Sequence, residues 1–183
     1  MARRKSLAFL DVGQGDCFVA DTKSGAIIFD GGSSSEDQVG RYRILPYMKY
    51  LGYQKIQIAV ISHMDIDHYS GIKELLEMGK IKYLGLPEIP KDATMKKIIG
   101  IAKKRGTTIF YLSRGRQITT KDGSLKVLHP QKNSQMEKNA ASLVMQGKIL
   151  GYRVLLTGDV EKEGEEELLS EELERADILK AAH

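Results

Sequence analysis

Apolar and polar residues alternate in short runs over the first thirty positions, and the runs are separated by Gly-rich turns. This pattern predicts strands at "SLAFLDV" (6–12), "CFVAD" (17–21) and "AIIFD" (26–30). "VGRYRILPYMKYLG" (39–52) has helical spacing, with Pro46 marking the start of the main helix. "KIQIAVIS" (55–62) is a compact apolar strand. "GIKELLEMG" (71–79) sets Ile72, Leu75 and Leu76 at helical spacing and stops at a glycine. A strand at 81–86, a basic amphipathic helix at 93–106 and a strand at 107–112 follow. The rest is mostly strands, at 124–129, 142–147 and 152–158. The acidic stretch "VEKEGEEELLSEELERAD" then predicts an exposed helix with Leu168, Leu169 and Leu173 as its apolar edge. "DILKAAH" (177–183) closes as a strand running into a loop. There is no internal repeat and no low-complexity linker; 31–38 and 130–139 are the stretches expected to be most flexible. Strands with interleaved helices suit a mixed sheet, or a pair of sheets, covered by helices.

Length and composition narrow the class. A chain of 183 residues suits one domain, 1–183, with a real core, and 42% hydrophobic with 28% charged residues is ordinary for a soluble globular protein. No apolar run reaches the length of a membrane span, and "MARRKSLAFLDV" lacks a signal-peptide core and cleavage site. The expectation is a soluble chain, cytoplasmic by default. The single cysteine, Cys17, excludes an internal disulfide and reads as a small buried strand residue. The net charge of +4 hides an asymmetry: residues 91–126 carry ten Lys or Arg against two Asp, and 159–177 carry ten Asp or Glu against two basic residues. A basic middle can attract a polyanion, but from charge alone a solvated helix face is the simpler account.

Chemistry concentrates in "SHMDIDHYSG" (62–71). His63 lies just past a strand, and Asp65, two residues on, points to the same side of an extended segment. Asp67 and His68 come next, ahead of a helix expected to begin near Gly71. Four metal donors thus share one strand-to-helix loop, a place where ligands gather in mixed α/β folds, and a helix N-terminus favours carboxylates. The alternative is a polar loop capping a helix, with Asp67 as cap and the histidines incidental. That two of only four histidines fall here weighs against it. Further donors are expected from other strand ends: Asp30 in "FDGG", Asp159 in "LLTGD" and His183 in "LKAAH".

"HMDIDH" resembles the H-x-H-x-D-H signature of the metallo-β-lactamase superfamily, with aspartate in place of the middle histidine. "FLDVGQGD", "IIFDGG", "SHMDIDHYSG", "NAASLV", "LLTGD" and "DILKAAH", in this order, resemble its ComEC-like branch, the nuclease-like domain of DNA-uptake proteins. The resemblance implies an α+β fold, a four-layered αββα sandwich with a metal site at one edge of the sheets. It implies that His63 and Asp65 hold one metal, Asp67 and His68 a second, and that Asp159 bridges them, with His183 a further ligand. Asp67 and Asp159 become the residues on which catalysis turns. Asn139 falls where relatives carry a histidine ligand. Asp11, Gln14, Asp16 and Asp30 would shape the floor of the site. His129 also matches the pattern, though a histidine ending a strand accounts for it equally well. The implied cofactors are two divalent ions, Mn2+ or Zn2+ with Mg2+ a further option, because the Asp65 carboxylate makes its site harder than an imidazole would. Two such ions about 3.5–4 Å apart ionise a bridging water for attack on a phosphodiester. DNA is the implied substrate, with Lys96, Lys97, Lys103 and Lys104 as a track for its backbone. The family pattern runs on past His183, so the domain is expected to be C-terminally incomplete, lacking its last strands and helix. A membrane channel accompanies the domain in longer relatives, and joined to one it would sit on the extracytoplasmic face. Two other readings stay open: a small-molecule phosphoester or lactone hydrolase, and an inactive metal- or DNA-binding fragment.

Overall fold

The alternating segments at the start of the chain pair as β1 (Ser6–Phe9), β2 (Phe18–Thr22) and β3 (Gly25–Phe29), an antiparallel meander. The computed structural model from which this is described covers residues 5–136, 138–169 and 173–182. β4 (Ile56–Val60), β5 (Ile81–Pro87) and β6 (Thr108–Leu112) then add one after another, each parallel to its predecessor, giving the order β1-β2-β3-β4-β5-β6. Each parallel step needs a crossover. These are a π-helical turn (Gly40–Ile44) running into α1 (Leu45–Tyr50), then α2 (Ile66–Glu77), then α3 (Ala93–Lys104). Right-handed crossovers that advance in one direction place their helices on one face of the sheet.

The second sheet has the order β11-β10-β9-β8-β7, from β7 (Gln117–Thr120), β8 (Gly123–His129), β9 (Val144–Ile149), β10 (Tyr152–Leu156) and β11 (Ile178–Lys180). It is antiparallel except for β11, which lies parallel to β10 at the edge. The strand period of two sorts the core into layers. Ile28 faces the helices with Ile44, Met48, Ile72, Leu75 and Ile98. Its neighbours Ile27 and Phe29 face the second sheet, against Val127, Met145, Val154 and Leu156. Leu128 and Val144 point out from the second sheet onto Leu168 of α4 (Glu163–Leu169). The layering is helix, sheet, sheet, helix, as the resemblance implied. No described helix is long and apolar enough to cross a membrane.

Several boundaries differ from the expected ones. β1 stops at Phe9, and the Asp11–Asp16 segment leaves the ladder as a loop, its turn closed by Gly13 N–H donating to the Asp11 carboxylate (3.1 Å). β7 was not anticipated: only Ile118 of its four residues is buried, so its strand form comes from pairing with β8 and not from an apolar pattern. α2 begins at Ile66, five residues before Gly71, because the N–H groups of His68 and Tyr69 already turn back to the carbonyl of Asp65 (3.0 and 3.2 Å). Gly71 sits inside that helix for a packing reason: a Cβ there would lie 2.6 Å from the carbonyl oxygen of Gly31. The acidic helix is shorter than expected. Leu169 and Leu173 are exposed, leaving Leu168 as its buried contact. Glu174 exchanges hydrogen bonds with the Gln146 side chain (2.6 and 3.2 Å), which holds that part of the chain along β9 instead of in a helix. The 31–38 loop is tied down: Gly31 N–H donates to His68 O (2.9 Å), Ser34 N–H to Gln14 O (2.8 Å) and Ser33 N–H to Ser70 Oγ (2.9 Å).

Candidate metal centre

Strand ends from both sheets converge at one edge. β3 ends into Asp30 and β4 runs into Ser62 and His63; from the other sheet, β10 ends before Gly158 and Asp159, and β11 ends in Lys180. The sheets meet closely here, with Leu143 N–H donating to Ser62 O (3.0 Å). Gly158 is required at this junction. Its φ is +54°, and a Cβ would stand 2.9 Å from the Cβ of Ser62.

Asp30 is fully buried and organises the interior. Its carboxylate accepts from Ser62 N–H (2.7 Å), from Ser62 Oγ (2.7 Å) and from His68 Nδ1 (3.0 Å). Burial alone would raise its pKa; the charge and hydrogen bond of His68, with Lys180 and Ser62, outweigh that and hold it below the usual carboxylate range. Since the Ser62 hydroxyl gives its one proton to Asp30, it acts as an acceptor toward His63 Nδ1 at 3.0 Å. That places the proton of neutral His63 on Nδ1 and leaves the Nε2 lone pair available. Burial, and then the neighbouring charge of His68, lower the pKa of His63 and keep it neutral. Among the described residues, His63 Nε2 is buried without a hydrogen-bond partner; its nearest acid there is Asp65, at 3.6 Å.

His68, in the first turn of α2, spans the centre. Nδ1 faces Asp30, Nε2 faces Asp159 at 3.0 Å, and the ring centroid is 4.1 Å from that of His63. Burial opposes its charge, but Asp30 and Asp159 override this and raise its pKa to about 10. Donor atoms of His63, His68 and Asp159 lie within 4.8 Å of one another, as do those of Asp16, Asp30 and His68. An orphaned imidazole lone pair, a second imidazole and a carboxylate at this spacing fit a first-row divalent ion in mixed nitrogen and oxygen coordination.

The other residues picked out from the sequence are placed differently. Asp65 is the exposed N-cap of α2, beside His63 but outside both donor groups. Asp67 lies in the first turn of α2. Its carbonyl accepts from Asp16 N–H (3.1 Å), and its carboxylate belongs to neither group. Asp11 and Gln14 shape the 11–16 loop, Asp11 through its carboxylate on Gly13 N–H and Gln14 through its backbone N–H on Ser35 Oγ, and both are exposed. Asn139 sits in a 3-10 turn (Lys138–Ala141), its carbonyl accepting from Ser142 N–H (2.9 Å). His129 is turned to the outer face, with Nε2 donating to Ala140 O (2.7 Å) and Nδ1 3.1 Å from Glu167; it joins β8 to α4. Cys17 is buried, which pushes its thiol pKa up and removes it as a nucleophile. Lys96, Lys97, Lys103 and Lys104 all lie on the solvent face of α3. His183 lies outside the described residues.

Lys180 was not anticipated. Its Nζ donates to Gly158 O (2.9 Å) and Asp159 Oδ1 (3.2 Å) and contacts Asp16 Oδ2. The signal was strand alternation: Ile178 faces the sheet–sheet core, so Lys180, two residues on, must also turn inward. Access to His63 is through a cleft of about 240 Å³ lined by Met64, Asp65, Ile89, Lys91 and Met95, among others. A larger open groove of about 710 Å³ between residues 131–136 and α4 shares no residue with the donor cluster, so the chemistry is assigned to the smaller cleft.

Comparison with known proteins places the fold. The family model described as the metallo-β-lactamase superfamily matches residues 10–182. ComE operon protein 3 of Bacillus subtilis (strain 168) is 32% identical over 193 residues, which covers 95% of this chain and 24% of that protein. Competence protein ComA of Neisseria gonorrhoeae is 28% identical over 164 residues, covering 87% of this chain and 20% of that protein. The chain thus spans a quarter or less of the length of these relatives. Among solved structures, a metallo-β-lactamase from Cronobacter sakazakii superposes with a TM-score of 0.62 at 14% identity, covering 97% of this chain and 77% of that one. The metallo-β-lactamase GOB-18 from Elizabethkingia meningoseptica gives 0.60 at 17% identity, covering 100% and 76%. At such identities these superpositions speak to the fold.

Proposed function

The chain belongs to the metallo-β-lactamase superfamily of metal-dependent hydrolases, and from that premise we propose that it cleaves phosphodiester bonds in DNA with two divalent ions, manganese or zinc. The observation that carries the metal reading is the buried Nε2 of His63, without a hydrogen-bond partner among the described residues, converging with His68 and Asp159. These three residues would hold the first ion. Asp65, 3.6 Å from His63 Nε2, and Asp67, next to His68 in sequence, stand outside this cluster and would have to turn toward it to hold a second. When bound, such ions supply Lewis acidity and a water that ionises near neutral pH.

The protein's own groups orient and recognise. Ser62 fixes the tautomer of His63, and Asp30 fixes the ring of His68, in the manner of partners that steer metal ligands from behind. Lys91 stands on the rim of the cleft that reaches His63 and Asp65, where a phosphate would approach. Lys97 continues the positive charge along the groove between α2 and α3. The likeness to two competence proteins supports DNA as the substrate. It also supports a working place beside a membrane channel, on the extracytoplasmic face, where the domain is joined to one.

The apolar wall of the cleft, from Met64, Ile89, Pro90 and Met95, favours a second reading, a hydrolase of small phosphoesters or lactones. One experiment separates them. Labelled single- and double-stranded DNA, a chromogenic phosphodiester and a lactone are each incubated with the full chain and manganese, beside Asp159→Ala. DNA cleavage that vanishes in the variant supports the nuclease reading. Turnover of the small substrates alone, with DNA intact, rejects it.

A further inference from the structure

A lysine ammonium inside a metal-ligand cluster calls for an explanation, because a buried charge is costly unless paired. Lys180 is only 6% exposed. Its ammonium donates to the Gly158 carbonyl at 2.9 Å and to Asp159 Oδ1 at 3.2 Å, and it forms a close ion pair with Asp16 Oδ2. The two carboxylates come from different sheets, Asp16 from the loop before β2 and Asp159 from the turn after β10. Without a cation between them their charges would repel across the junction. The two carboxylate oxygens of Asp159 also face different described neighbours. Oδ2 turns to His68 at 3.0 Å, on the side of the His63–His68–Asp159 cluster, while Oδ1 turns to Lys180. An ion bound at the cluster therefore shares the Asp159 carboxylate with an ammonium, and the two positive charges face each other across it.

We propose that Lys180 is a positioning residue that acts as a built-in counter-cation: it holds Asp16 and Asp159 in place in the metal-free protein and weakens metal binding through the shared Asp159. This rests on the reading of the cluster as a metal centre. The lysine would let the sheet junction form before any ion arrives, and would set how tightly the ion is then held.

The test uses the full chain, stripped with chelator, as wild type and Lys180→Met. Thermal unfolding is followed without metal, and Mn2+ binding is measured by titration calorimetry. The expected result for Lys180→Met is a lower metal-free Tm together with Mn2+ affinity raised by about tenfold or more, the direction set by removing a like charge a few ångströms from the ion. A residue of merely structural importance would lower both. So an affinity that falls or stays unchanged, or a metal-free Tm that does not move, overturns the proposal. If Lys180→Met does not fold, Asp16→Asn/Lys180→Met is compared with Asp16→Asn. The double variant removes both members of the pair and should unfold no earlier than Asp16→Asn while binding Mn2+ more tightly; weaker or equal binding again overturns the proposal. Wild-type protein that binds no Mn2+ at all sinks the metal-centre reading itself, and this inference with it.

Discussion

Asp30→Asn isolates the charge at the heart of the centre. The two side chains have the same shape, and asparagine tolerates the backbone φ of +57° found at this position, so strain does not confound the result. The carboxylate accepts three hydrogen bonds, two from Ser62 at 2.7 Å and one from His68 at 3.0 Å. An amide keeps one acceptor oxygen and turns its NH2 group toward a donor, so at least one of these contacts becomes donor against donor. His68 also loses the nearer carboxylate at its Nδ1, and keeps Asp16 at 3.7 Å on that side and Asp159 at its Nε2. Removing one partner of a buried ion pair costs about 3–5 kcal/mol, and the complete burial of Asp30 means that solvent does not discount this figure. Domains are typically stable by about 5–15 kcal/mol, and for one of this size each kcal/mol moves Tm by about 2–4 °C. The metal-free variant should therefore melt about 6–20 °C lower and shift its urea midpoint without a change in slope. Mn2+ affinity should fall as well, because the ring of His68 is no longer steered from behind, a change that costs about 10–100-fold in comparable metal sites. Chelated protein followed by far-UV circular dichroism gives the first number and calorimetry the second. A loss below about 1 kcal/mol, with unchanged metal affinity, would refute the view that Asp30 organises the site.

Two further outcomes follow from the geometry. Lys91 and Lys97 border the cleft and the adjoining groove, whereas Lys103 and Lys104 lie about 10 Å farther along α3 by its rise of about 1.5 Å per residue. Lys91→Ala/Lys97→Ala should weaken DNA binding and lower the salt slope by about one per lysine, and Lys103→Ala/Lys104→Ala should do much less; equal effects would deny the groove a role. The second concerns pH. Arg153 holds the Asp177 carboxyl down at about 2 through a bidentate pair, with contacts at 2.8 and 3.3 Å. With a folded value below the unfolded one, the stability this pair contributes is present above about pH 3.9 and is lost as pH falls through about 2. Carboxyl chemical shifts in an NMR titration should place Asp177 near 2 and raise it part of the way toward the ordinary range in Arg153→Met, where the backbone N–H of residue 153 still donates to it (2.9 Å); an Asp177 that titrates near 4 in the wild type would contradict the pairing.

Much of the fold could be read from local pattern. The buried strand Ile56–Val60 is an almost unbroken apolar run, and α3 announces itself through Met95, Ile98 and Ala102 on one face. β7 could not be read this way, since its polar residues become a strand only when β8 supplies the hydrogen-bonding partner. The start of α2 was misjudged because Gly71 looked like a boundary, and only the approach of Gly31 explains a glycine inside the helix.

The candidate site divides along the same line. The residue types in "SHMDIDH" and "TGD" announce metal chemistry by themselves, because dense donors at strand ends are hard to account for otherwise. Which donors converge is a long-range matter. His68 meets Asp159 across 91 residues and Asp30 across 38, so the cluster exists only once the two sheets have closed on each other. Asp65, one of the four donors in the loop, is left at the rim because α2 starts with Ile66 immediately after it. Lys180, which looked like an ordinary strand residue, is carried into the centre by the parallel pairing of β11 on β10. Local sequence sets the chemistry each residue can offer. Sheet closure sets which residues face one another at 3 Å, because that depends on the packing of distant strands.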